Sequence, residues 1–141
     1  MGFRGVQEVT SQSRKHRGYR TQKAFAEYIR KLFPYAEPTG AGRQGADILS
    51  TPGIWFELKA RTGFDPKAAL RQARTESEKQ HEEFLKQFNG LRIQPPPYPM
   101  AVLRMNGQGE ANIGEWVACM QVDTLLNLLE EAGYGPEGDG G

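Results

Sequence analysis

The stretch from Gly45 to Lys59, reading Gly-Ala-Asp-Ile-Leu-Ser-Thr-Pro-Gly-Ile-Trp-Phe-Glu-Leu-Lys, constrains the fold more than any other part of the 141-residue chain. Two runs rich in β-formers, Asp47 to Ser50 and Ile54 to Lys59, flank Thr51-Pro52-Gly53. Proline presets φ and glycine supplies a positive φ, so the pattern predicts a β-hairpin. A three-residue loop pairs Ser50 with Ile54 and sets Asp47 opposite Glu57 on one face. A two-residue Pro52-Gly53 loop sets Asp47 opposite Leu58 and turns it away, unless a bulge corrects the slip. The three-residue register is expected. Lys59 then shares the face of Asp47 and Glu57, because side chains alternate along a strand. Ile48, Ile54, Phe56 and Leu58 form the apolar opposite face.

Two carboxylates a few ångströms apart either share a proton or bind a cation. Oxygen ligands from Asp47 and Glu57, with the Leu58 backbone carbonyl as a third, suit Mg²⁺ or Mn²⁺ better than Zn²⁺. A hydrated magnesium ion at such a pair, beside the Lys59 ammonium, is chemistry suited to phosphodiester hydrolysis. The plainer reading of the same three residues is an exposed ion-pair network on a hairpin.

Charge is distributed in a way that fits a polyanionic partner. Net charge is only +1, yet residues 1–45 hold nine Lys/Arg against three acids, residues 46–80 six against five, and residues 81–141 three against nine. A basic first third is what phosphate contacts need; the alternative is a solvated arm with no partner. Residues 1–20, with Arg14, Lys15, His16, Arg17, Tyr19 and Arg20, are expected to form a flexible basic arm. Residues 21–133 should make one domain, since 38% hydrophobic residues can build a modest core. Residues 134–141 read as a disordered Gly-rich tail.

No run is long enough to span a membrane, and the N-terminus lacks a secretory signal, so a cytoplasmic location and no membrane partner are expected. The single Cys119 excludes an internal disulfide and any Cys-only metal cluster. His16 and His81 are the only histidines and lack ligand spacing, which disfavours zinc hydrolases and HNH nucleases.

In chain order, Thr21 is expected to cap a helix ending near Phe33-Pro34, with Phe25, Ile29, Leu32 and Phe33 buried. Glu27 lies opposite that stripe with Lys23 and Lys31 at i−4 and i+4. It therefore has two readings, a site residue or the middle of an exposed salt-bridge ladder. A short edge strand within residues 35–39 leads to Gly40-Ala41-Gly42-Arg43-Gln44-Gly45, a loop able to approach a ligand closely. It is not a P-loop, and no nucleotide cofactor is expected. Asp65-Pro66 should start a long helix toward Phe88. Leu70, Ala73, Ser77, His81, Phe84, Leu85 and Phe88 share its inner side, while Arg71, Gln72 and Lys79 lie elsewhere. Pro95-Pro96-Pro97 dictates an extended connection. A strand at residues 100–103, a turn at Asn106-Gly107, a strand at residues 116–120 and a helix capped by Asp123 complete the chain.

The order of helix, three strands carrying Asp47 and then Glu57-Leu58-Lys59, helix and strand resembles the PD-(D/E)XK nuclease superfamily. The helix bearing Glu27, the run Gly40 to Gly45, Ala46-Asp47-Ile48 and Phe56-Glu57-Leu58-Lys59-Ala60-Arg61 are most similar to Holliday junction resolvases and related small phage endonucleases. Ala46 stands where the motif's name has proline. The likeness covers about residues 20 to 105. It implies an α/β fold with a restriction-endonuclease-like αβββαβ core, a mixed central sheet flanked by helices, plus a C-terminal strand and helix. It also implies a Mg²⁺-dependent DNA endonuclease selective for branched DNA, working as a homodimer. Catalysis falls on Asp47, Glu57 and Lys59, and metal binding on Asp47, Glu57, the Leu58 carbonyl and Glu27. DNA contacts fall on Arg17, Arg20, Lys23, Arg43, Arg61 and Gln72. The alternatives are a nicking or restriction-type nuclease on linear duplex, and a non-catalytic DNA-binding module on the same fold.

Overall fold

The computed structural model describes residues 18–40, 46–60, 65–87, 95–104 and 107–136. Helix α1 covers residues 18–28 and tightens into a 3-10 turn at Ile29–Lys31. Leu32 and Phe33 both donate backbone bonds to Ile29, at 2.9 and 2.8 Å, before Pro34 stops the helix. Strands β1 (Glu37–Pro38), β2 (Ile48–Leu49) and β3 (Ile54–Ala60) follow, then helix α2 (Pro66–Gln87) and strand β4 (Tyr98–Arg104). A 3-10 segment (Glu110–Glu115), strand β5 (Val117–Cys119) and helix α3 (Val122–Glu131) complete the described chain. The fold is mixed α/β.

Its main sheet has the order β3-β4-β5. β3 and β4 are parallel, with Glu57 beside Ala101 and Lys59 beside Leu103, and β5 is antiparallel to β4. Parallel neighbours need a crossover, which here carries α2. The sheet is covered on both faces, so β3 buries Trp55, Phe56 and Glu57 in succession. On the α1 side, Phe25 packs edge-on against Phe56 at 5.1 Å and stacks with Trp116 at 6.5 Å. Ala26, Ala36, Ile48 and Val102 join them in one cluster, with Ile54 and Leu58 packed on it. On the other face α2 turns Ala69, Ala73 and Ser77 inward, and small residues let the helix lie close to the strands. Asp65 begins α2 as expected, its Oδ1 accepting the Ala68 N–H at 3.1 Å.

The hairpin differs from expectation. β2 pairs with β1 in a separate antiparallel sheet, Glu37 against Leu49 and Pro38 against Ile48, and not with β3. The turn is Thr51-Pro52-Gly53-Ile54, closed by Ile54 N–H to the Thr51 carbonyl at 3.1 Å, with Gly53 at φ +86°. Proline then a positive-φ glycine at the central positions is the type II pattern, whose twist splays the strands it joins. Ser50, at φ +64°, turns the chain away just before it. β2 is thus steered off β3 and completes its bonding with β1.

Other boundaries also move. α1 already includes residues 18–20, so the expected arm boundary at residue 20 falls inside a helix. Thr21 is a buried helical residue and not a cap; its Oγ1 accepts from Arg104 Nη1 at 2.9 Å. Leu32 is 76% exposed and leaves the buried stripe. Asp123 lies in the first turn of α3, whose N-cap is Gln121. Residues 1–17 of the expected arm, residues 137–141 of the tail, Phe88 and Asn106 lie outside the described residues. Among the described residues no helix is long and apolar enough to cross a membrane.

Candidate active site

Asp47 stands where the two sheets meet. Its carbonyl accepts the Thr39 N–H at 3.0 Å, extending the β1–β2 pairing, while its own N–H reaches the Phe56 carbonyl on β3 at 3.4 Å. The side chain completes the junction, because Oδ2 accepts the Leu58 N–H at 2.7 Å. Asp47 is therefore bonded to the residues on either side of Glu57. Asp47 thus lies alongside Glu57 without the expected β2–β3 ladder, its carboxylate standing where a strand carbonyl would accept the Leu58 N–H.

Glu57 is only 4% exposed and points from β3 toward α2. One oxygen, Oε1, lies 3.7 Å from Lys59 Nζ, and the other, Oε2, is buried without a hydrogen-bond partner. Leaving a buried oxygen unpaired costs about 1–3 kcal/mol, more when it is charged. Burial, then the charges of Asp47 and Glu76, push the Glu57 carboxyl up to about 7; Lys59 and the nearby Trp55 indole oppose this incompletely. The Trp55 N–H forms no completed hydrogen bond with it, since that donor is itself buried and unpaired. Asp47 is also held above its ordinary value, chiefly by burial, against the Leu58 N–H and Lys59. Two neighbouring carboxyl groups that both resist ionisation are what a cation would relieve.

Helix α2 supplies the far wall. Lys59 Nζ donates to Gln72 Oε1 at 3.0 Å, and Gln72 Nε2 donates to Glu76 Oε1 at 3.3 Å. Gln72 thus joins the site by holding Lys59. Glu76, one turn on, is a residue that sequence reasoning missed; its i+4 spacing from Gln72 was the available signal.

Helix α1 contributes Gln22 and not Glu27. Gln22 Nε2 donates to Asp47 Oδ1 at 3.4 Å and its Oε1 accepts the Gly40 N–H at 3.4 Å. Gln22 and Glu27 are five positions apart, about 140° around a helix, so both cannot face Asp47. Glu27 is exposed, and the salt-bridge ladder is absent too: Lys31 Nζ sits over the Tyr28 ring, 4.1 Å from its centre. Arg20 and Lys23 are exposed on α1, whereas Arg17, Arg43 and Arg61 lie outside the described residues.

The donor set fits a hard cation that keeps much of its water. Among the described residues no three His, Cys, Asp or Glu side chains form a metal-holding group. Asp47 and Glu57 offer two carboxylates. The Leu58 carbonyl leaves the same edge of β3 as its N–H, toward Asp47, so it is directed away from the β4 ladder. Few protein oxygens with the remainder water is the magnesium pattern. No family model, curated protein or solved structure matches the chain.

Proposed function

We propose that the chain is a Mg²⁺-dependent DNA endonuclease of the PD-(D/E)XK type, selective for branched DNA. The observation that carries this reading is the unpartnered, buried Oε2 of Glu57, beside Asp47 and on the strand face that carries Lys59. Asp47, Glu57 and the Leu58 carbonyl would hold the ion. When bound, Mg²⁺ supplies Lewis-acid neutralisation at the phosphoryl oxygens and acidifies water. Lys59 places an ammonium where charge develops on the phosphate or where the attacking water must be oriented, and Gln72 restrains its position. The element order α1, β1, β2, β3, α2, β4 supports the αβββαβ reading, with its strands divided between two sheets. The reading carries with it a homodimer as working form, so that two strands of a junction meet two sites, and a cytoplasmic location.

The test is cleavage of four-way junction, flap, linear duplex and single-stranded DNA with and without Mg²⁺. Wild-type chain should cut branched substrates and lose activity in EDTA. Asp47→Asn and Glu57→Gln should each lower the rate about 1000-fold or more, ~4 kcal/mol of barrier. Junction cleavage left intact in either variant would overturn the site. Equal cutting of linear duplex would leave the nuclease and remove the branch selectivity.

A further inference from the structure

We propose that Gln22 is a positioning residue that fixes the aim of the Asp47 carboxylate, an inference that rests on the nuclease reading of the site. The anchoring of Asp47 is lopsided without it. Its backbone is held at both ends, by Thr39 and Phe56, and Oδ2 is held by the Leu58 N–H. Oδ1 has one protein donor among the described residues, the Gln22 amide. A carboxylate tied through a single oxygen can pivot about that bond, so the second tie selects which lone pairs remain free toward Glu57.

The amide is suited to the task because both ends are engaged. Gly40 N–H can only donate and the Asp47 carboxylate can only accept, so oxygen toward Gly40 and nitrogen toward Asp47 is the sole orientation that satisfies both. Thr39, next to Gly40, donates its hydroxyl to the carbonyl of Ala46, next to Asp47. Gln22 therefore spans from α1 two segments that are already tied together, and holds Asp47 against them. A glutamate here would lack the donor and would place a third negative charge against Asp47. Both contacts, at 3.4 Å, are at the long end of hydrogen bonding.

Gln22→Met keeps the length and bulk of the side chain and removes both bonds; Gln22→Asn keeps the amide but is one methylene too short to span. Three measurements on the full chain separate positioning from a merely structural role. In metal-free protein, the Leu58 and Gly40 amide resonances should shift in both variants while those of β4 stay. Mn²⁺ affinity by calorimetry should weaken about 10-fold, and kcat should fall about 10-fold with KM for DNA within twofold. An unmoved Leu58 resonance, or unchanged Mn²⁺ affinity and kcat in folded variants, would overturn the inference. If Gln22→Met does not fold, Gln22→Asn carries the same test. Wild-type chain that takes up no Mn²⁺ would overturn the nuclease reading, whereas wild type that binds it beside unaffected variants would remove Gln22 alone.

Discussion

Alternate residues of the seven-residue strand β3 face two different helices, Ile54, Phe56 and Leu58 toward α1 and Trp55, Glu57 and Lys59 toward α2. On the α1 face, Phe25, Phe33, Phe56 and Trp116 meet ring to ring, and burial there only stabilises. On the α2 face the same degree of burial is imposed on a carboxylate, whose second oxygen has no partner. One strand thus carries a face that holds the fold and a face that strains it. The difference teaches where to look for function: among the described residues the two buried side-chain atoms without a partner, Glu57 Oε2 and Trp55 Nε1, both lie on this face of β3, and such a concentration points to something that binds there.

Breaking the stabilising face should have the largest effect on the fold. Phe56→Ala removes a ring in contact with both Phe25 and Phe33 and leaves a cavity, so unfolding free energy should fall by about 3–5 kcal/mol in denaturant melts. A loss below about 1 kcal/mol would mean that the α1 face is not the core. Glu57→Gln should act in the opposite direction, with stability retained or increased at pH 8 while cleavage is lost.

The pH dependence of metal-free stability sharpens the same contrast. Glu57 ordinarily titrates at 4.5 and is pushed up to about 7 in the folded chain. Between those values the folded state holds a proton that the unfolded state has released. The contribution of Glu57 to stability is therefore fully present below about pH 4.5, is lost as pH rises through about 7, and stays absent above that. Asp47 is shifted in the same direction and adds to the slope. The expected loss from Glu57 is ~2 kcal/mol after allowance for relaxation and water entry. Thermal melts at pH 5 and pH 8 should show it in wild type, less of it in Glu57→Gln, and recovery at pH 8 when Mg²⁺ is added. A wild-type profile rising from pH 5 to 8 would contradict the site's electrostatics.

Much of this contrast was legible in the residues. The alternation of Phe56, Glu57, Leu58 and Lys59 separated the two faces, and Asp65-Pro66 placed the start of α2 because a cap and a first-turn proline act locally. The failures share a different cause. The partner of β2 depended on the type II twist that Pro52-Gly53 signals and on a positive φ at Ser50, which nothing in its residue type signals. Gln22 carries no charge to mark it and Glu27 does, whereas the rotation of α1 is set by how Phe25 and Ala26 seat against the core that Phe56 and Val102 share. Glu76 was hidden among acids of α2 that do face solvent, such as Glu78, paired only with Arg74 at the surface.

Gln72 gives the smallest and most discriminating effect. It is an exposed residue on the edge of α2, so its removal should alter stability by no more than about 0.5 kcal/mol. Yet its oxygen is 3.0 Å from Lys59 Nζ, closer than Glu57 at 3.7 Å. Gln72→Ala would leave Lys59 with the longer contact and let the ammonium draw toward Glu57 and away from α2. Cleavage should then slow about 10-fold, ~1.4 kcal/mol, with Mn²⁺ affinity nearly unchanged because no proposed ion ligand is touched. Gln72→Glu tests the direction of the effect. A negative charge would hold Lys59 more tightly but stand against Glu76 one turn away, so partial rescue of the rate would assign Gln72 to Lys59. A rate unaffected by either change would confine the working face of β3 to its own residues and Asp47.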